Sequence, residues 1–364
     1  MRFAFALCGI FLAAIAVYGS PPGSELVPGV YVAGYYGDGS GKAVPCYWNG
    51  GIRQDLALPK GVGKGYVTSV AVSDGSVYAA GHYEDESGND IPCYWNGVIQ
   101  YDLPIPGGTR RGYAVFIAVS GGSVYVAGNW GESLNWTPCY WKDGTRQDLP
   151  LPGRAGVGGT ASIAISDGSV YAAGYYWDEI GKYIPCYWKD GVRQDLPLPK
   201  GAGEGYAASI AVSGGPVYAA GHYYRNESSK ADESYKVIPC YWISGVQYDL
   251  PLPGGTQIGY ATSIAVSGGS VYAAGYYWDE NNGNIDIPCY WNGGVRQDLA
   301  LPKGARDGLV WSIALSGGSV YTAGYYQDGR GHNVPCYWED GTRQDLPLPG
   351  GNASGIAVSV AVAD

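Results

Sequence analysis

The 364-residue chain holds 60 glycines, 23 prolines and 34 tyrosines against one methionine and four phenylalanines. Only 15% of its residues are charged, against about 25% in an ordinary soluble domain. This composition excludes a helical protein and fits many short strands joined by tight turns. The 46% of hydrophobic residues argues against disorder, and the lack of a three-residue glycine period excludes collagen. A net charge of −10 argues against a nucleic-acid partner, because nothing in it would neutralise a row of phosphates.

Residues 1–19 begin with Arg2 and an apolar run from Phe3 to Tyr18. That run is shorter than the ~20 residues a membrane-spanning helix needs, and Val17 and Gly19 are small enough to precede a cut at Ser20. Residues 1–19 are therefore expected to be an export signal. Leu7 is too large, and the stretch before it too short, for Cys8 to be a lipidation site. Residues 20–29 read as a linker. No second apolar segment of spanning length follows, so no membrane span is expected once the signal is removed.

The tripeptide Cys-Tyr-Trp begins at Cys46, Cys93, Cys139, Cys186, Cys240, Cys289 and Cys336, at spacings of 46 to 54 residues. Within the unit spanning residues 162–208, four strand signals alternate with turn signals. Ser162–Ser166 and Ser169–Tyr176 flank the Asp167-Gly168 turn. A variable polar loop leads to Ile184–Trp188, and Lys189-Asp190-Gly191 turns the chain into Val192–Leu198. The glycine in Ser169–Tyr176 predicts a bulge or a close backbone approach.

Four antiparallel strands per unit describe a propeller blade. The chain opens on a second-strand motif, Val30–Tyr36, and finishes on a first strand, Ser359–Ala363. The expected fold is thus all-β: a seven-bladed β-propeller of four-stranded antiparallel blades over residues 30–364. Its ring would be closed by the N-terminal strands pairing with the C-terminal strand.

Tyr187-Trp188-Lys189-Asp190-Gly191, Asp195-Leu196 and Ser209-Ile210-Ala211-Val212 together resemble the bacterial extracellular HAF-type repeat. Val170-Tyr171-Ala172-Ala173-Gly174 stands where that family carries a Val-Val-Gly strand. Similar Tyr-Trp-Lys-Asn-Gly repeats occur in exported spirochaete proteins. The departures are Cys-Tyr for the usual His-Ala-Phe-type start, and Ser for Asn in the first strand. The resemblance implies a secreted, propeller-like protein and supplies no catalytic residues.

Removing the signal leaves seven cysteines, one at the same place in every unit. Equivalent positions in neighbouring blades should lie beyond the ~7 Å limit between bridged Cα atoms, so the thiols are expected to be free. Alternation puts Cys and Trp on one face of the strand and Tyr on the other, and each Cys reads as a small buried hydrophobe. One thiol per blade cannot assemble a four-ligand metal site. The acidic stretches at Asp38–Gly41 and Asp85–Asp90 lack the spacing of a helix-loop-helix calcium site. No metal and no cofactor are expected.

His82 and His222 replace the first Tyr of Gly-Tyr-Tyr, His332 lies in a loop, and all three read as surface or capping rings. No nucleophile–base pair stands out. The repeated Arg-Gln-Asp (Arg53, Gln54 and Asp55, with copies at Arg146, Arg193, Arg296 and Arg343) reads as an outer-edge charge pattern. Two glycosylation acceptors, Asn226-Glu227-Ser228 and Asn352-Ala353-Ser354, would matter only in a eukaryote.

The loops between second and third strands vary in length and chemistry while the strands barely change, which places function on those loops. Trp130, Trp136, Trp177 and Trp278 offer flat apolar faces for a sugar ring or anchors for a protein. Asp178-Glu179 and Asp279-Glu280 can accept hydrogen bonds from hydroxyls. The alternative is that these Trp rings fold over their own blades.

The leading expectation is an exported, monomeric, non-enzymatic propeller that binds a glycan or an envelope or extracellular protein through this variable face. The rivals are a polysaccharide-acting enzyme that uses loop carboxylates and a purely architectural spacer.

Overall fold

The computed structural model describes residues 29–133, 135–153, 156–226, 235–280, 283–350 and 353–363. The expected export signal with Cys8, linker residues 20–28, the centre of the Arg225–Val237 insert and both glycosylation acceptors in part lie outside the described residues. Among the described residues the regular structure is β-strand, and no helix is long and apolar enough to cross a membrane.

The Cys186 unit shows how one repeat folds. Its strands Gly158–Ser166, Ser169–Trp177, Tyr183–Lys189 and Val192–Asp195 pair antiparallel in sequence order. The hairpin turns Asp167-Gly168 (φ 49° and 76°) and Asp190-Gly191 (φ 48° and 79°) place two successive residues in left-handed backbone. That conformation matches the twist of the strands it joins.

A Cβ on Gly174 would lie 1.9 Å from the Gly159 carbonyl oxygen. The close approach read from the sequence comes from a bulge, since the register slips between Thr160 and Ser162 and leaves Ala161 as the extra residue. The same slip recurs between Val67 and Ser69 and between Val310 and Ser312.

Two boundaries differ from expectation by more than one residue. The first strand starts at Gly158, four residues before Ser162, because residues near the variable loops also join the ladder. The fourth ends at Asp195 rather than Leu198. There the Leu196 N–H turns to the Pro185 carbonyl at 2.8 Å, and its side chain drops into the core.

The core lies between neighbouring sheets. Trp188 and Cys186 pack with Val170 of their own unit and with Tyr125 and Ala127 of the unit before. Trp188 Nε1 donates to the Pro150 carbonyl at 2.9 Å, and Trp48 likewise donates to Pro347 at 2.9 Å. Each Cys-Tyr-Trp cysteine is buried and free. The tyrosine faces the other way, as alternation requires.

First strands also tie successive units together. Buried serine hydroxyls accept N–H groups from the next unit: Ser162 from Ile210, Ser209 from Ile264, Ser263 from Ile313 and Ser359 from Val70. Ser312 accepts from Val360 at 2.9 Å. The C-terminal strand Ser354–Ala363 pairs antiparallel with Gly29–Gly37, from Gly29↔Ala363 to Gly37↔Ser354. Four-stranded antiparallel sheets packed face to face in this way define the β-propeller class.

Candidate functional site

Isolated parallel pairs join the start of one unit's third strand to the start of the next unit's first: Ala43↔Lys64, Asp90↔Arg111 and Val237↔Ile258. The variable loops and the unit-to-unit connections therefore share one end of the sheets.

Just inside that end, first-strand and second-strand residues pair across the ladder: Tyr66 with His82, Tyr206 with His222 and Tyr260 with Tyr276. Their rings meet those of the next unit and form two continuous runs. One passes Tyr35, Tyr66, His82, Tyr113 and Trp136, with centroids 4.8, 5.1, 4.7 and 5.4 Å apart. The other passes Trp177, Tyr183, Tyr206, His222, Tyr260, Tyr276 and Trp311, at 5.3, 4.4, 5.1, 4.8, 5.1 and 5.9 Å. Edge-on and tilted pairs at such separations add attraction beyond burial. Between the runs, Asn129 breaks the pattern: its amide exchanges hydrogen bonds with the Thr160 backbone at 3.1 and 2.7 Å.

Burial sets the charge states here. It lowers His82 to about 4, partly countered by Asp90, and lowers His222 to about 3. Both rings are neutral at pH 7, and both leave a buried Nδ1 without a partner. They are interior rings rather than the surface or capping rings expected, because alternation turns their strand face toward the next unit's tyrosine.

Asp286 is pushed up to about 7 by burial, with a further contribution from Asp307. Its backbone N–H donates to Asp307 Oδ1 at 3.1 Å. Burial also raises Tyr276 and Tyr325, and both feel the Asp286 charge. Asp286 and Asp307 were not singled out in the sequence. The signal was there in kind, since Asp307 stands where other units carry Lys64, Arg111 or Glu204 before the same glycine.

The eight residues singled out divide among several places. The tryptophans are strand residues rather than loop residues, because the ladder runs further toward the loops than the sequence pattern suggested. Trp136 and Trp177 belong to the aromatic runs. Trp278 is half-buried and pairs across the ladder with Asp286.

Trp130 lies on the opposite strand face, where it stands in for a tyrosine, and its Nε1 donates to Asp148 at 2.9 Å. Asp178 organises its own loop by accepting the N–H groups of Ile180 and Lys182 at 3.0 and 2.9 Å. Asp279 ends its strand, and Glu179 and Glu280 are exposed.

The Arg-Gln-Asp repeat does more than charge the rim. Arg53 Nε donates to Asp55 at 2.8 Å, Tyr36 OH donates to the same carboxylate at 3.0 Å, and the guanidinium lies 4.6 Å from the Tyr36 centroid. Burial, with the hydrogen bond to Asp55 adding to it, pushes Tyr36 up to about 12.

No protein-family model matches the chain, and no curated protein sequence matches it. Among solved structures it is similar to the polysaccharide lyase Uly1, with a TM-score of 0.50 at 13% identity over 94% of this chain and 91% of that one. It is also similar to the β-propeller domain of the Trilobed protease from Pyrococcus furiosus, with a TM-score of 0.49 at 12% identity, covering 88% and 95%. At such identities the likeness bears on the fold alone.

Proposed function

We propose that the chain is an exported, seven-bladed, closed β-propeller that binds a glycan at the tyrosine-lined end of its sheets. Closure is supported by the Gly29–Gly37 and Ser354–Ala363 ladder and by the Ser312–Val360 and Trp48–Pro347 bonds between the last complete unit and the composite one. Export rests on the character of residues 1–19.

The observation that carries the binding reading is the pair of aromatic runs beneath the variable loops. Tyrosine and tryptophan rings there offer flat apolar faces edged by hydroxyls and carboxylates, the combination that packs on a sugar ring while bonding its hydroxyls. The seven near-equal units favour binding over catalysis.

A glycan array probed with the chain from Ser20 onward, beside a Trp177→Ala/Trp278→Ala double variant, tests this. Glycans bound by the parent should be lost by a variant with an unchanged far-ultraviolet spectrum. Absence of glycan binding by the folded parent would overturn the glycan reading and direct the search to a protein partner.

One observation favours polysaccharide hydrolysis as a second reading. A carboxyl held protonated near neutrality beside another carboxylate is the arrangement of a general acid and its partner. On that reading the pair is Asp286 and Asp307, not the loop carboxylates. Asp286→Asn would then abolish turnover while glycan binding survives.

A further inference from the structure

The rim triad of an aromatic ring, aspartate and arginine is complete in the Cys46, Cys139, Cys186, Cys289 and Cys336 units, with Trp130 as the ring in the Cys139 unit. In each, arginine Nε bonds the aspartate at 2.7 to 2.9 Å. The guanidinium lies 4.5 to 5.2 Å from the centroid of the Tyr or Trp130 ring. The Cys93 and Cys240 units carry Gln100 and Gln247 instead. Their amides keep the bond to Asp102 and Asp249, at 2.8 and 2.6 Å, but bring neither charge nor a guanidinium plane.

The Cys240 unit makes good the loss from a different strand. Arg225 places its guanidinium 5.4 Å from the Tyr223 centroid and donates to Tyr223 OH at 2.8 Å. In the Cys93 unit the matching residue is Asp85, just past the second strand, and among the described residues no arginine or lysine lies over Tyr83.

An open groove of about 330 Å³ lies beside Gln100, lined by Ala57, Leu58, Pro59, Gln100 and Asp102. Gln100 Oε1 is buried there without a partner. The next unit shows what such a groove accommodates: Arg146 Nη1 reaches the Pro104 carbonyl at 3.4 Å, and Pro104 occupies the position that Ala57 holds beside Gln100.

We propose that the Ala57–Gln100–Asp102 groove binds the guanidinium of an arginine side chain supplied by a protein partner. Asp102 pairs with its charge, and the Ala57 carbonyl, which already accepts Trp95 Nε1 at 2.8 Å, accepts one of its N–H groups as the Pro104 carbonyl does from Arg146. A planar fork of donors fits this arrangement, whereas a compact ammonium reaches one acceptor at a time. The groove lies on the outer rim, so the assignment is independent of the glycan reading.

Titration of the ¹⁵N-labelled chain with N-acetyl-arginine amide tests the proposal. Saturable shifts are expected at Ala57, Leu58, Gln100 and Asp102, with N-acetyl-lysine amide binding roughly tenfold more weakly. Gln100→Arg, the residue five other units already tolerate, should fill the groove from within and abolish the shifts at unchanged or raised thermal midpoint. Asp102→Asn should abolish them by removing the charge. Absence of saturable shifts in the parent, or equal shifts in folded Gln100→Arg, would overturn the proposal. A self-associated species dispersed by Gln100→Arg would identify the occupant as a second copy of this chain and overturn the assignment to another protein.

Discussion

At the scale of single residues, Asp286 and the two buried histidines make opposite demands on pH. A histidine whose folded pKa is depressed contributes stability above its ordinary value of 6.5 and loses it as pH falls toward 4 for His82 and 3 for His222. Asp286 works the other way. Its folded pKa, raised from 3.8 to about 7, leaves the folded chain holding a proton that the unfolded chain has released. Its contribution is therefore greatest at low pH and is lost as pH rises through 7. At pH 6.5 the unfolded histidines are still half-charged, so the stability they gain as pH rises to 8 offsets the loss from Asp286 over the same range. Asp286→Asn isolates the Asp286 part: the thermal midpoint of the parent relative to that of the variant should fall as pH rises from 5 to 8, as a series of calorimetric melts would show. Cys186 and Trp188 were readable as a buried pair because alternation within their own strand decides it. His82 and Asp286 were not, because their environment is made by the following unit.

At the scale of the strand, the glycine after the paired alanines is the tightest constraint. Gly174→Ala would drive a methyl into the Gly159 carbonyl, and the nearest atoms are all backbone of the neighbouring strand, which leaves nothing flexible to move. A loss of about 3 kcal/mol is expected from such overpacking, measured by urea denaturation. Gly107→Ala is the control. Its Cβ would meet nothing within 4 Å, so its effect should stay within about 0.5 kcal/mol. The strand order and the Asp-Gly hairpins were legible in the sequence, since both depend on a few consecutive residues. The strand ends were not. The ladder extends to Gly158 and stops at Asp195 because neighbouring strands and the Leu196 turn decide which backbone groups find partners.

At the scale of the whole molecule, the C-terminal strand belongs to the first Cys-Tyr-Trp unit. Val32, Tyr36, Cys46 and Trp48 share a core with Ala357 and Val360 of that strand and Leu346 of the unit before. A chain ending at residue 353 would uncover this core, leave Gly29–Gly37 with one neighbour and strip Ser312 of its partner. It is expected to lose cooperative unfolding, read from the breadth of its thermal transition, while the full chain keeps it. By itself the sequence determined the repeat, the four strands of each unit, the turn chemistry and the buried Cys–Trp face. All of these are local and recur whenever the unit recurs. Only the tertiary structure decided that first-strand and second-strand rings join into runs from unit to unit, that Asp286 meets Asp307, and that Arg225 replaces a missing rim arginine. The physical reason is that these contacts cross from one sheet to the next. Sheet twist, the bulge and the serine links between first strands set which residues face each other there, and the alternation along a single strand carries none of that information.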